Sequence, residues 1–240
     1  MSKRTFVIGD VHGELQALKA LVKSMCLAPH DELIFLGDIV DKGPQTRDTI
    51  DYLIDLSSQY KCTFIKGNHE EMMLAALADD ATRMKDIWLT FGGRPTLESY
   101  DVNTIDDLKK TMPKSHLEFL DKMIDAHITK DHVFVHAAWD TKKPLDKQER
   151  RTLRYQFMNA SQPDKTFKKQ IICGHSSIVG GKPAKKQNIL CIDTVEYGWL
   201  TAYEVNLKYF LQASRDCQTR TLKRPEKFDQ KRHVPEQFRI

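Results

Sequence analysis

Short apolar runs alternate with helical patterns in the first third of the chain. The runs at residues 5–8, 33–36 and 62–65 are each followed by a polar, glycine-containing segment, which is typical of buried strands. After each run, apolar residues recur at helical spacing, on Leu15, Leu18, Leu21, Val22 and Met25; on Ile50, Leu53 and Ile54; and on Met72, Met73, Leu74 and Leu77. This strand–helix order, repeated three times, predicts right-handed crossovers and a parallel sheet.

Residues 79–130 have a different character. They are polar and mostly helical in pattern, are interrupted by the segment 91–95 (Phe-Gly-Gly-Arg-Pro), and contain no strong strand pattern. We interpret them as a helical insert that lies over one edge of a site. Strand-like runs then resume, at residues 132–135, 171–173, 189–192 and 200–205. The whole pattern predicts an α/β protein.

The length of 240 residues fits one domain with a substantial core. We expect a catalytic domain over residues 1–212 and a flexible basic tail over residues 213–240. The tail contains eight Lys or Arg residues and four Asp or Glu residues from Ser214 onward, which accounts for the whole formal net charge of +4. Such a segment is a solvated extension or, as the weaker alternative, an arm for nucleic acid or an acidic partner.

Five cysteines form no Cys-x-x-Cys pair, and three of them lie in apolar runs. An odd number of cysteines used in this way indicates a reducing compartment, and we expect a cytoplasmic protein. No apolar run approaches the length of a membrane span, and the first residues lack the apolar core of a secretory signal.

Side chains that can bind metals follow five of the strand-like runs. They are Asp10, His12, Asp38, Asn68, His136 and His175. Because sites in α/β sheets form beyond the carboxyl ends of strands, we expect these side chains to converge although 165 positions separate the first from the last. Five such coincidences in chain order argue against separate turn or capping roles.

The donor types indicate the chemistry. Mixed carboxylate, imidazole and amide ligands suit Mn²⁺, Fe²⁺ or Zn²⁺ better than Ca²⁺, and two such ions sharing a carboxylate can activate water and polarise a phosphoryl oxygen. A leaving alkoxide also needs a proton, for which His69 is the candidate, with Asp41 fixing its tautomer. Lys42, Lys66 and Arg154 would neutralise the phosphate oxygens.

Several short segments together resemble the signature of the calcineurin-like metallophosphoesterases. They are Gly9-Asp10-x-His12-Gly13, Gly37-Asp38-x-Val40-Asp41-x-Gly43, Gly67-Asn68-His69-Glu70, His136 and Gly174-His175. The likeness covers residues 4–207 and is greatest to the bacterial and phage branch of the serine/threonine phosphoprotein phosphatases. It implies a layered α/β fold, with central β-sheets forming a β-sandwich, helices on the outside and a mostly helical insert.

The resemblance also implies roles for individual residues. The first metal would be held by Asp10, His12 and Asp38, and the second by Asp38, Asn68, His136 and His175. His69 with Asp41 would be the acid dyad that serves in-line attack by a metal-bound hydroxide, and Arg154 would bind phosphate. The expected cofactors are two divalent ions, Mn²⁺ first, with Fe²⁺ and Zn²⁺ as alternatives.

Two positions depart from the family pattern. Lys42 and Lys66 stand where arginine is usual, and lysine keeps the charge but loses the planar two-pronged grip on phosphate. We therefore expect weaker binding of phosphate monoesters than at a site with two arginines, or a substrate of a different shape. Lys42 is also similar to the lysine of phosphatases related to dinucleoside-tetraphosphate hydrolases, whereas Asp41 and Glu70 favour the phosphoprotein phosphatases.

Three functions are compatible with these residues. The first is a phosphomonoesterase that acts on phospho-Ser/Thr proteins, with phospho-Tyr included, or on a phosphorylated small molecule. The second is a hydrolase of dinucleoside polyphosphates or other nucleotide phosphoanhydrides. The third, a catalytically silent binding module, is disfavoured by the complete set of predicted ligands and acid. We expect a monomer with no membrane or nucleic-acid partner.

Overall fold

The computed structural model describes residues 3–78, 82–160 and 166–233. Its strands, in chain order, are β1 Thr5–Ile8, β2 Glu32–Phe35, β3 Lys61–Phe64, β4 Ala126–Ile128, β5 His132–Val135, β6 Gln170–Cys173, β7 Ala184–Lys186, β8 Ile189–Cys191, β9 Trp199–Glu204, β10 Tyr209–Ser214, β11 Thr219–Leu222 and β12 Glu226–Lys227. Its α-helices are α1 Leu15–Met25, α2 Thr46–Gln59, α3 Asn68–Ala78, α4 Thr82–Trp88, α5 Arg94–Ser99, α6 Ile105–Thr111, α7 Lys114–Asp121, α8 Arg150–Tyr155 and α9 Gln230–His233.

The strands form two six-stranded sheets. The first has the order β11-β10-β9-β1-β2-β3, and the second has the order β12-β7-β8-β6-β5-β4. Strands β1, β2 and β3 are parallel, as the alternation of runs and helices predicts, and β5, β6 and β8 are parallel in the second sheet. An apolar cluster that includes Val7 and Ile34 of the first sheet and Phe134 and Ile172 of the second joins the two sheets. The expected β-sandwich with outer helices is confirmed.

The insert is helical over most of its length. Helices α4 to α7 and a π-helical turn at Leu89–Gly93 fill residues 82–121, and Trp88 is fully buried in the core of the first sheet. Strand β4, at Ala126–Ile128, is the exception, since no strand was expected within residues 79–130. It is a three-residue edge strand that pairs with β5, too short to show an alternating pattern. Residues 79–81 lie outside the described residues.

Part of the segment after residue 212, expected as a basic tail, forms strands that the sequence analysis did not predict. Strand β11 pairs with β10, and β12 pairs in parallel with β7, so residues 213–227 extend both sheets and α9 follows them. Contacts to other strands support this segment: Arg220 lies 3.6 Å over the Trp199 ring of β9, and its Nε donates to Gln212 Oε1 of β10 at 2.8 Å. The domain boundary at residue 212 stays a prediction, and residues 234–240 lie outside the part of the chain described.

The carboxyl ends of the parallel strands of both sheets point to one edge of the sandwich. Asp10, Asp38 and Asn68 follow β1, β2 and β3, while His136 and His175 follow β5 and β6. Within the described ranges, no helix combines the length and apolar character needed to cross a bilayer.

Candidate active site

A cavity of about 530 Å³ opens at this edge of the sandwich. Its inner wall contains Asp10, His12, Asp38, Asn68 and His175. Its outer wall contains Phe91, Phe157, Glu196, Phe228 and His233. His136 is fully buried behind the inner wall, with its Nε2 3.4 Å from Asp38 Oδ1. The structure therefore brings all six predicted metal ligands together.

The backbone of the inner wall is held in an unusual conformation. His12, Asp38, Asp41, Lys42 and His175 all have positive φ angles, between 46° and 70°. Non-glycine residues adopt this left-handed region at a cost of about 1 kcal/mol or more each, and clusters of such residues are typical of functional sites. The strain is a property of the loops that aim these side chains into the cavity.

A buried carboxylate stabilises the loop that carries Asp38. Glu70 accepts backbone N–H groups from Asp38 at 2.9 Å, Ile39 at 2.6 Å, Val40 at 3.2 Å and Gly67 at 2.8 Å. It therefore fixes the position of the turn after β2 relative to the turn after β3. The sequence analysis used Glu70 only as a family marker and missed this structural role.

Gly67 is required by the same close approach. A β-carbon at this position would lie 2.1 Å from Asp38 Oδ1, which no side chain tolerates. The turn after β3 can reach Asp38 only because residue 67 is glycine.

Asp38 lies between two groups of potential ligands. In one group its carboxylate joins His12 and His69, and in the other it joins His136 and His175, with ligand atoms within 4.8 Å of one another in each group. Oδ2 faces His12 Nε2 at 3.7 Å, whereas Oδ1 faces His136 Nε2 at 3.4 Å. A carboxylate whose two oxygens face two ligand groups is suited to bridging two cations.

The second group has the donor chemistry of a metal site. The Nδ1–H of His136 donates to Leu36 O at 2.8 Å, and burial lowers the pKa of this imidazole, so its Nε2 carries a lone pair. That lone pair lies 3.0 Å from Asn68 Oδ1, which is also 3.0 Å from His175 Nδ1. Burial and the neighbouring His136 lower the pKa of His175 to about 3. Neutral side chains whose ligand atoms converge in this way fit a cation between them.

The first group is less closely matched to the prediction. His12 donates from Nδ1 to Val40 O at 2.9 Å and presents Nε2 to Asp38, as a ligand would. Asp10 lines the cavity, but its carboxylate also accepts the His175 N–H at 3.1 Å. The closely spaced group with His12 and Asp38 contains His69 and not Asp10. Burial, followed by the charges of Asp193 and Asp38, raises the pKa of Asp10 well above its usual value. The role of Asp10 as a ligand stays a prediction.

His69 and Asp41 form the expected pair. His69 Nδ1 lies 2.9 Å from Asp41 Oδ2, and Asp41 is fully buried. Two residues of the insert fix this carboxylate: Trp88 donates from Nε1 at 2.9 Å, and the Thr96 hydroxyl donates at 2.7 Å. Burial lowers the pKa of His69, but the negative charge of Asp38 and the bond to Asp41 outweigh it and raise the value. Trp88 and Thr96 were not predicted as site residues.

The three predicted phosphate-binding cations are placed differently. Lys42 lines the cavity, and its Nζ pairs with Glu196 Oε1 at 2.5 Å. Arg154 is buried and pairs with Glu71 at 2.9 Å and with Asp125, outside the cavity lining. Lys66 is also outside that lining. Among the described residues, the structure thus brings Lys42 alone of the three to the cavity surface.

Asp193 is a further buried acid that the sequence analysis did not assign to the site. It follows β8, lines the cavity and accepts the Ser177 hydroxyl at 2.7 Å. Burial raises its pKa to about 6. The available signal was its place after an apolar run, the same context that identified Asp38.

Comparison with known proteins identifies the family. The family model described as calcineurin-like phosphoesterase matches residues 3–207. The chain belongs to the calcineurin-like phosphoesterases. This membership confirms the resemblance that the short motifs indicated, and the matched residues include strands β1 to β9 and the insert.

Relatives of this phosphoesterase have two kinds of name. It is 37% identical over 92 residues to serine/threonine-protein phosphatase 2 of Escherichia coli (strain K12), a match covering 38% of this chain and 39% of that protein. It is 30% identical over 141 residues to a symmetrical bis(5'-nucleosyl)-tetraphosphatase of Ectopseudomonas mendocina (strain ymp), covering 58% and 48% respectively. The chain thus spans about two fifths to half the length of these relatives.

Solved structures support the fold over a longer range. A cold-active protein-tyrosine phosphatase from a psychrophilic Shewanella species superposes with a TM-score of 0.62, at 16% identity, over 92% of this chain and 81% of that one. At this identity the likeness shows the shared fold alone.

Proposed function

We propose that this phosphoesterase is a binuclear-metal-dependent phosphatase that hydrolyses phosphomonoesters on serine and threonine side chains of proteins, and on tyrosine side chains as well. The observation that carries the proposal is the buried His69–Asp41 pair, held by Trp88 and Thr96. An imidazole whose protonated form is favoured, placed beside candidate metal ligands, is suited to donate a proton to a leaving oxygen.

Six side chains would hold the metals: Asp10, His12 and Asp38 for one ion, and Asp38, Asn68, His136 and His175 for the other. Bound divalent ions would supply Lewis acidity and a water of lowered pKa, and the mixed imidazole, carboxylate and amide donors favour Mn²⁺, with Fe²⁺ and Zn²⁺ as alternatives. The His175 Nδ1 atom, which lies 3.0 Å from Asn68 Oδ1, supports a ligand role for that side chain.

The chain's own groups would act in sequence on a bound ester. Lys42 would neutralise charge on the phosphoryl oxygens. Lys66 and Arg154 are proposed for the same role. As the oxygen of a water that has lost one proton to solvent forms its bond to phosphorus, the bond from phosphorus to the leaving oxygen would break, and His69 Nε2–H would transfer its proton to that oxygen. A proton from solvent would then restore His69. Asp41 accepts the Nδ1–H of His69 throughout, so that Nε2 faces the reaction.

The nature of the leaving group distinguishes this proposal from its alternative. Relatives named bis(5'-nucleosyl)-tetraphosphatases, together with Lys42, favour hydrolysis of a dinucleoside polyphosphate. The leaving group would then be a phosphate whose pKa is about 6, which departs without a proton. An alkoxide cannot depart without a proton. A proton donor at His69, held in position by Asp41, therefore has its largest effect on a phosphate ester of serine or threonine.

A three-substrate assay with Mn²⁺ tests the proposal. A phosphoserine peptide, p-nitrophenyl phosphate and diadenosine tetraphosphate are compared in the wild type and in His69→Asn. We expect the kcat for the phosphoserine peptide to fall by about 10²–10⁴-fold in the variant and the kcat for the aryl ester to fall less. Preferred hydrolysis of the dinucleotide that is unaffected by His69→Asn would establish the alternative instead.

The cysteines support the expected compartment. All five are free, including Cys173 and Cys191, which lie opposite one another on β6 and β8. Neighbouring thiols that stay unpaired are typical of a reducing environment, so we propose that the enzyme acts in the cytoplasm.

A further inference from the structure

The cavity is several times larger than a phosphoryl group. At about 530 Å³ it has the volume of a small-molecule site, so it can hold a substantial part of the leaving group as well. What the rest of the cavity accepts depends on the side chains opposite the candidate metal ligands.

Three phenylalanines of the outer wall provide an apolar surface there. Phe91 comes from the insert, Phe157 follows α8, and Phe228 follows β12. Phe91 is 56% exposed and Phe157 is 36% exposed. Among the described residues, no other phenylalanine is exposed to this extent. Exposed rings that face one cavity can be covered by a ligand, and this releases water from apolar surface.

The three rings are fixed by contacts of their own segments. The Phe157 ring stacks on the His175 imidazole, with ring centroids 4.8 Å apart and an interplanar angle of 24°. The loop that carries Phe91 is tied to Lys42, whose N–H donates to Gly92 O at 2.9 Å. The Phe228 N–H donates to Lys185 O at 2.9 Å, which holds this residue beside β7. The apolar surface is therefore formed before any substrate binds.

We propose that the three phenylalanines form a subsite for an aromatic ring attached directly to the leaving oxygen, as in a phosphotyrosine side chain. This inference rests on the proposed phosphomonoesterase function and adds its preferred substrate class. Because the Phe157 ring stacks on the His175 imidazole, the apolar surface lies directly beside a candidate metal ligand. A phenyl ester carries its ring one oxygen away from phosphorus, whereas a nucleobase is separated from phosphorus by a ribose and a serine side chain offers only one methylene.

Binding of non-hydrolysable phosphonates tests the subsite without turnover. Phenyl-, cyclohexyl- and methylphosphonate are titrated calorimetrically into the full chain loaded with Mn²⁺. We expect phenylphosphonate to bind at least about tenfold more tightly than methylphosphonate and about threefold more tightly than the saturated ring, because ring–ring contacts add to the buried area. Phe157→Leu and Phe91→Leu should each bring the phenyl-to-cyclohexyl ratio close to one.

Leu207→Ala is the matched control, since Leu207 is exposed but does not line the cavity, and it should leave both ratios unchanged. Equal affinity for phenyl- and methylphosphonate overturns the inference, as does failure of all three to bind. Tighter binding of an adenosine 5′-phosphonate that weakens in the same two variants also overturns it. Failure of the proposed function is a separate result, in which no phosphomonoester is hydrolysed in the presence of metal.

Discussion

The inner and outer walls of the cavity are built in opposite ways. The inner wall comes from strand ends, is almost completely buried, and is held by hydrogen bonds from backbone N–H groups to Glu70 and by close backbone approaches at Gly67. The outer wall comes from the insert, the loops and the C-terminal segment, and it is partly exposed. The predicted metal ligands are thus positioned by the strand ends of the two sheets, whereas the side chains opposite them come mainly from the insert and from loops.

The largest effect should come from removing the carboxylate that joins the two ligand groups. Asp38→Asn keeps the shape of the side chain but removes the charge that both groups share. We expect bound metal, measured by elemental analysis after dialysis, to fall below two ions per chain and kcat to fall by at least about 100-fold, since even outer ligand partners cost about 10–100-fold. Asp101→Asn, at a side chain that is 90% exposed, is the control. Full metal content in Asp38→Asn would contradict the bridging geometry.

A smaller effect is expected where the insert reaches the inner wall. Thr96→Val removes a hydroxyl that donates to Asp41 Oδ1 and accepts the Asp41 N–H at 3.1 Å, without changing the volume of the side chain. We expect kcat for a phosphoserine peptide to fall by about tenfold and the free energy of unfolding to fall by about 1–3 kcal/mol, because a buried carboxylate loses a donor.

Thr96→Ser is the matched variant, because it restores the hydroxyl and should recover most of the kcat. A loss of stability in Thr96→Val with no change in kcat or in its pH profile would show that Thr96 supports the fold and does not position the acid pair.

The sequence could predict the inner wall because its signals are local. Each ligand stands directly after an apolar run with glycine beside it, so strand order and the geometry of parallel sheets are enough to bring Asp10 and His175 together. The outer wall gives no such signal. Trp88, at the end of the short helix α4, contacts Asp41, which is 47 positions away, and Glu196, in a single 3₁₀ turn, contacts Lys42, which is 154 positions away. Residues 213–233 likewise contain strands that their basic composition did not indicate, because the pairing of these strands depends on partners elsewhere in the chain.

The ion pair between the walls should have a modest effect on substrate binding. Glu196 holds the ammonium group of Lys42, so a substrate phosphate must compete with this carboxylate for the lysine. Since the pair is partly exposed and such pairs contribute up to about 1 kcal/mol, Glu196→Gln should lower the KM for p-nitrophenyl phosphate by about twofold to fivefold. Glu118→Gln, at an exposed helical ion pair, is the control. An unchanged or higher KM in Glu196→Gln would show that Glu196 positions Lys42 for the phosphate.

The smallest effect concerns the segment that holds Phe228 and His233 in the outer wall. Glu226 lies 3.0 Å from His233 Nε2 and also pairs with Lys182 and Arg232. The hydrogen bond to His233 lowers the pKa of Glu226 against the opposing effect of burial, and the two other cations add to it. A carboxyl group whose pKa is lower in the folded protein contributes stability above its unfolded pKa of about 4.3.

Replacing this carboxylate should therefore loosen the outer wall in a pH-dependent way. At pH 7 we expect Glu226→Gln to lower the free energy of unfolding by about 0.5–1 kcal/mol, and we expect the difference from the wild type to shrink as the pH falls below about 4.3 through the folded pKa of Glu226. Chemical denaturation at several pH values measures this, with Glu98→Gln at an exposed position of α5 as the control. A difference that stays constant down to pH 3 would mean that packing of the C-terminal segment, and not its charge, keeps Phe228 in the cavity wall.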